Sequence, residues 1–166
     1  MNMLFESPLK QLKSVLQPGE ISPNKAAEQL LRSCIDHLNI QRASIWLSTD
    51  DDLLSCQMLL DRTEGMTQEP LLLDRWSFPN YFQALDKKGI ICAVDAYNDP
   101  ATRDLYDTFL KPAKIRSLLD IPLLNGGKLT GIICCEHTQE IKHWTIDEIT
   151  FVSELANIYK ATFDMH

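Results

Sequence analysis

A chain of 166 residues is long enough for one domain that buries roughly two thirds of the surface its unfolded form exposes. Its 45% hydrophobic and 23% charged residues exclude disorder over any long stretch, and no apolar run approaches the roughly 18 residues a membrane span needs. A net charge of −7 excludes a large nucleic-acid footprint, because a polyanion needs a concentrated basic face and the nearest thing to one is Lys111, Lys114 and Arg116.

From the start of the chain, Met1 to Glu6 shows no basic segment followed by an apolar core of signal-peptide length, which leads to the expectation of a cytoplasmic protein with no membrane partner. Ser7-Pro8 reads as an N-cap with proline at the first helical position, and Leu9, Leu12 and Leu16 share a face before Pro18-Gly19. This predicts a leading amphipathic helix within residues 1–20, followed by one domain over residues 21–166. Ser22-Pro23 repeats the start signal for a second helix, in which Ala27, Leu30, Leu31, Cys34, Ile35 and Leu38 recur at helical spacing up to Asn39. Ala43–Leu47 and Leu53–Leu60 read as a strand pair about the acidic turn Ser48–Asp52, with Leu54, Cys56, Met58 and Leu60 expected on one face.

Asp61–Glu69 reads as a loop, and Leu71-Leu72-Leu73 returns to the core. Pro79–Leu85 predicts a short helix closed by Lys87-Lys88-Gly89, and Ile90–Val94 a brief buried strand. Asp99-Pro100 predicts a further helix with Leu105, Phe109 and Leu110 inward and Pro112 beyond its end. Ser117–Leu124 and Leu129–Cys135 form a hairpin about Asn125-Gly126-Gly127, which supplies the positive backbone angles of a primed turn. Pro122 has no N–H for a ladder, so its strand must bulge there or leave that side unpaired. Thr145-Ile146-Asp147-Glu148 is a capping box, and its helix is expected to bury Ile149, Val152, Leu155, Ala156, Tyr159 and Phe163. Strands, interrupting helices, a hairpin and a closing helix make an α+β domain with a mostly antiparallel sheet.

The order of these residues carries a resemblance. Ser117-Leu118-Leu119-Asp120-Ile121-Pro122, the glycine turn, Gly131-Ile132-Ile133-Cys134-Cys135-Glu136-His137 and Trp144-Thr145 with Asp147-Glu148 resemble the second half of a GAF domain, a small-molecule sensing module of bacterial signalling proteins. With Phe78–Leu85, Gly89–Val94, Asp95–Pro100 and a first strand at Arg42–Leu47, the resemblance covers roughly residues 22–163. It implies a central sheet of about six strands with the N- and C-terminal helices on one face. It also implies a ligand pocket on the other face, beneath the segments between Asp61 and Ile115. Terminal helices of two subunits often pair in that family, so a homodimer is expected, with the leading helix able to contribute.

A pocket needs apolar walls and a few convergent polar groups. Trp76, Tyr81, Phe82, Tyr97 and Tyr106 supply aromatic candidates, although plain core packing is the stronger reading for any one of them; Asp95, Asp99, Thr102, Arg103 and Ser117 supply polar ones. Asp99 also suits an N-cap, and Asp95 with Arg103 a surface ion pair. Cys92 is the cysteine expected nearest the pocket. The five cysteines lack any Cys-x-x-Cys pair, and four fall in apolar stretches, which suits buried free thiols. Cys135 and His137 share a strand face but are too few for a closed zinc site, so no metal is expected.

Branches of the family differ at identifiable positions. In bilin-carrying members a Cys precedes a His on the helix before the strand that starts here at Ile115-Arg116-Ser117. Thr102 and Tyr106 occupy those places, so no covalent pigment is expected. Free methionine sulfoxide reductases carry their redox cysteine in the loop that here reads Lys111-Pro112-Ala113-Lys114, which holds no thiol. The cyclic-nucleotide signature is incomplete, with Asp147-Glu148 explained by capping. The resemblance thus implies a non-enzymatic sensory or regulatory domain without a cofactor, which binds an unidentified small molecule and passes its state through the terminal helices to a separate output protein. Two alternatives stay open: a thiol reductase using Cys92, and a ligand-free dimerisation scaffold.

Overall fold

Helices form where a stripe of apolar residues can be hidden, and three such stripes meet on one face of the sheet. The computed structural model describes residues 3–68 and 71–163. Met1 and Asn2 of the leading segment, Glu69 of the expected loop, Pro70, and Asp164 to His166 lie outside the described residues. Helix α1 (Met3–Val15) begins before Ser7, which is therefore not its N-cap, and Pro8 lies inside it. Phe5 extends the stripe of Leu9, Leu12 and Leu16 and stacks on Phe151 with ring centroids 4.7 Å apart. That burial offsets the single early hydrogen bond that the proline forfeits near the helix start. Helix α2 (Pro23–Leu38) starts at the Ser22 cap and stops at Asn39 in the left-handed conformation, as its sequence signals require.

Strands β1 (Arg42–Ser48), β2 (Leu54–Asp61), β3 (Gly65–Thr67), β4 (Leu72–Leu73), β5 (Ile91–Ala93), β6 (Ile115–Asn125) and β7 (Lys128–Thr138) make a seven-stranded sheet in the order β3-β2-β1-β7-β6-β5, with β4 also on β2. Every pairing among the described residues is antiparallel. The extra strand relative to the expected six is β3, within the segment expected to be loop. There the Asp61 carboxylate accepts from the amides of Thr63 and Glu64 and turns the chain back onto β2.

Leu54, Cys56, Met58 and Leu60 do not share one face. Ile45 pairs with Met58 but Trp46 pairs with Cys56, so Gln57 is an extra residue in a β-bulge. The alternation reverses there: Met58 and Leu60 pack toward the helices, Leu54 and Cys56 toward the opposite face. In the β6–β7 hairpin, Gly126 and Gly127 take φ of 56° and 84° between Asn125 and Lys128, the two-residue primed turn. β5 begins at Ile91 opposite Asp120, so Pro122 lies beyond it on that edge, and one of two irregularities in the β6–β7 pairing follows at Leu123/Leu124.

Helix α5 (Ile146–Thr162) carries both halves of the capping box: the Glu148 amide donates to Thr145 Oγ1 at 3.1 Å and the Thr145 amide to Glu148 Oε1 at 2.9 Å. It buries Phe151 and Ile158 besides the expected Val152, Leu155, Ala156 and Tyr159, whereas Ile149 and Phe163, also expected in the core, are only partly buried against it. The face covered by α1, α2 and α5 holds Ile45, Met58, Leu119, Ile121, Ile133 and Cys135. The other holds Trp46, Leu118, Ile132 and Cys134 beneath helix α3 (Pro79–Lys88) and an irregular segment. Where one helix was expected from Asp99, that segment runs as a 3-10 turn (Arg103–Leu105), a π-helical turn (Tyr106–Leu110) and a single turn, α4 (Lys111–Ala113), which takes in Pro112. The Asp99 carboxylate instead accepts from the Ala101 amide in a local turn at 2.8 Å.

Candidate functional site

Strands β1, β7 and β6 expose alternate residues to the face away from the terminal helices, and their pairing aligns Trp46 with Ile132, and Asp120 with Cys134. Over this floor α3 places Tyr81, and the irregular segment places Leu105, Phe109 and Leu110. The cavity between them measures about 30 Å³, space for one or two waters.

Asp120 is 1% exposed, and its carboxyl is the polar centre of this apolar chamber. The fully buried Tyr81 donates its hydroxyl hydrogen to Asp120 Oδ2, while Oδ1 is buried with no hydrogen-bond partner. Burial pushes the Asp120 carboxyl up to about 7; hydrogen bonding from Cys134 and Tyr81 opposes this, and the Glu136 charge adds to it. The Tyr81 phenol and the Cys134 thiol are pushed up as well, each first by burial and next by the Asp120 charge. At the margin, Arg42 Nε donates to Glu136 Oε1 at 3.0 Å and neutralises that second carboxylate. Trp46 donates its indole N–H to Ser44 Oγ at 2.8 Å, which fixes the ring as a wall.

Of the residues singled out from the sequence, Tyr81 lines the cavity. Phe82 is buried beside it, edge-on at 5.5 Å and under the Arg75 guanidinium at 4.8 Å, but is not part of the lining. Trp76 is 95% exposed and lies away from the pocket, because the turn before α3 turns it outward. Tyr97 and Tyr106 meet edge-to-face at 5.0 Å, with Arg116 over Tyr97 at 4.6 Å, and neither lines the cavity.

The polar candidates hold loops rather than face the chamber. Asp95 lies 3.7 Å from Arg116 and accepts from Asn98; its ion-pair partner is therefore not Arg103, which is exposed. Thr102 donates to the Ala96 carbonyl, and Ser117 donates to Val94 and accepts from the Lys142 amide. Cys92 is exposed at the sheet edge, not buried, with its thiol pushed up by desolvation and the Asp99 charge; the cysteine in the chamber is Cys134. Among the described residues no group of three or more His, Cys, Asp or Glu side chains could hold a metal.

Asp120, Trp46 and Phe109 are the residues the sequence left unassigned. A signal for Asp120 was present: one carboxylate inside the otherwise apolar run Leu118–Leu124, at the parity of Leu118 and opposite to Leu119 and Ile121. A charge within a two-faced buried strand marks a polar site.

Comparison with known folds gives a consistent result. The GAF domain from a phosphoenolpyruvate-protein phosphotransferase of Coxiella burnetii superposes with a TM-score of 0.75 at 19% identity, covering 96% of this chain and 92% of that one. The GAF domain of the Acinetobacter phosphoenolpyruvate-protein phosphotransferase gives 0.74 at 12%, covering 96% and 94%. The blue-light-absorbing PixJ GAF domain of Thermosynechococcus elongatus gives 0.70 at 17%, covering 97% and 90%. No curated protein sequence matches the chain. The family model for the GAF domain matches residues 22–159, and the chain belongs to the GAF domain family.

Proposed function

We propose that this GAF domain is a non-enzymatic regulatory sensor, whose small-molecule site is the chamber around Asp120. The observation that carries this reading is a fully buried carboxyl with one oxygen unpartnered, set in an aromatic and aliphatic cavity where structural packing alone would favour an apolar residue. The strands offer a route for signal. On β6, Leu118 and Asp120 face the chamber while Leu119 and Ile121 pack in the cluster under α1, α2 and α5, so displacement of the strand is felt on both sides. A ligand that prefers one arrangement biases the terminal helices by its differential affinity. A homodimer formed through those helices, and a separate polypeptide as output, complete the proposal. The cyanobacteriochrome receptor PixJ contains a similar domain, which is consistent with this role.

The size of the chamber favours a second reading. At about 30 Å³ it is filled by its own side chains, as a dimerisation scaffold without ligand requires. A thermal-shift screen against a metabolite library, with native mass spectrometry of protein purified from cells, separates the two. A specific ligand supports the sensor, and none across the library supports the scaffold. The reductase alternative is tested by NADPH-coupled reduction of free methionine sulfoxide, where turnover lost in Cys92→Ser would overturn the non-enzymatic reading.

A further inference from the structure

The chamber shares one wall with the outer surface. Phe109 lines it from above and also lines a shallow outer groove of about 590 Å³ with Arg42, Leu72 and Pro112. This half-buried ring stands between the outer groove and the Asp120 chamber, beside the Arg42–Glu136 pair that spans the same boundary. It is held by edges and tilts rather than by close stacking, 6.3 Å from Trp46 and 5.6 Å from Phe78. It also sits on the π-helical turn Tyr106–Leu110, a rare conformation that occurs mostly as single turns, frequently at functional sites.

The chemistry behind that wall is one-sided. The polar side-chain groups lining the chamber are the Asp120 carboxyl, the Glu136 carboxyl, the Tyr81 hydroxyl, the Cys134 thiol and the Trp46 indole N–H, the last already donated to Ser44. The hydroxyl is already directed at Asp120, and Cys134 lies beside it as a weak donor, yet nothing meets hydrogen-bonding geometry on Asp120 Oδ1. No cation lines the chamber, since Arg42 stands outside it against Glu136. An anionic ligand would meet the Asp120 carboxyl with no cation beside it, because the Arg42 charge is taken up by Glu136. A ligand that brings a donor would satisfy the one orphaned acceptor.

We infer that the chamber takes a compact, mainly aliphatic molecule with a hydrogen-bond-donating amine head, which displaces Phe109 to enter from the outer groove and places that head on Asp120 Oδ1. This inference rests on the sensor reading and names its ligand class. The apolar body takes the place of Phe109 against Trp46, Leu105 and Ile132, and the head forms a charge-assisted bond in a desolvated site.

Isothermal titration of three probes on the same branched five-carbon skeleton, isoamylamine, isoamyl alcohol and isovalerate, tests it at pH 8. The titration uses the full chain, Phe109→Ala and Asp120→Asn, with each variant's fold checked by circular dichroism. The expected result is isoamylamine at least about tenfold tighter than isovalerate, a gain in affinity in Phe109→Ala with the same preference, and loss of that preference in Asp120→Asn. Amide spectra of the unmutated chain should shift at Tyr81, Asp120 and Leu105–Leu110, a readout independent of either variant. Equal binding of the acid, or amine binding unchanged in Asp120→Asn, overturns the amine head while leaving a sensor in place. No binding of any probe alongside a library hit overturns the inference alone; no binding of probe or library compound overturns both.

Discussion

Tyr81 on α3 and Asp120 on β6, 39 positions apart in sequence, are joined inside the protein by a hydrogen bond from the phenol to the carboxyl. It ties the helical cover to the floor of the sheet and fixes which carboxyl oxygen is engaged and which is free.

Removal of the phenolic hydroxyl isolates that tie. Tyr81→Phe leaves a buried carboxyl with neither oxygen properly paired, and should cost about 1–3 kcal/mol in urea unfolding. The ring itself remains to fill the core, so a larger loss would mean that the cover had rearranged.

Asp120 also predicts how stability responds to pH. Its carboxyl is raised from 3.8 to about 7 by burial, so between those values the folded chain holds a proton the unfolded chain has released. Stability from this group is therefore present at low pH and declines as pH rises through that window, by up to about 1.4 kcal/mol per pH unit. Asp120→Asn, compared with the unmutated chain by thermal unfolding from pH 4 to pH 8, should flatten this decline and be the more stable of the two at pH 8.

Gly131 is required by close approach rather than by backbone angle. A Cβ there would stand 2.4 Å from the Trp46 carbonyl oxygen on the neighbouring strand and 3.0 Å from Leu47 and Leu123 side chains. Since backbone cannot swing aside, Gly131→Ala should lose at least about 1–3 kcal/mol by chemical denaturation and shift Trp46, hence the wall of the chamber.

The cap of α5 offers a control remote from the chamber. Thr145→Ala removes the acceptor for the Glu148 amide and should cost about 1 kcal/mol without altering ligand affinity.

Much of the fold is written locally. The Gly126-Gly127 turn, the Ser22-Pro23 and Thr145–Glu148 caps and the apolar stripe of α2 are each specified by residues a few positions apart, and each formed where its residues called for it; the buried face of α5 is instead rotated toward Phe151 and Ile158. The bulge at Gln57, strand β3 and the early start of α1 depend on what the partner strand or helix offers, which no short window contains. The chamber was hidden for the same reason. Trp76 and Cys92 looked inward from composition alone, whereas Asp120, Phe109 and Trp46 converge only through the β1–β7–β6 register and the irregular turn above it.

The most direct test of sensing through the Asp120 chamber is amide hydrogen exchange on the full chain, with and without a saturating concentration of the ligand the library screen identifies. Slower exchange over Leu105–Leu110 together with altered protection in α1 and α5 is the predicted result. Unchanged exchange over Leu105–Leu110, with protection gained elsewhere, would contradict the account.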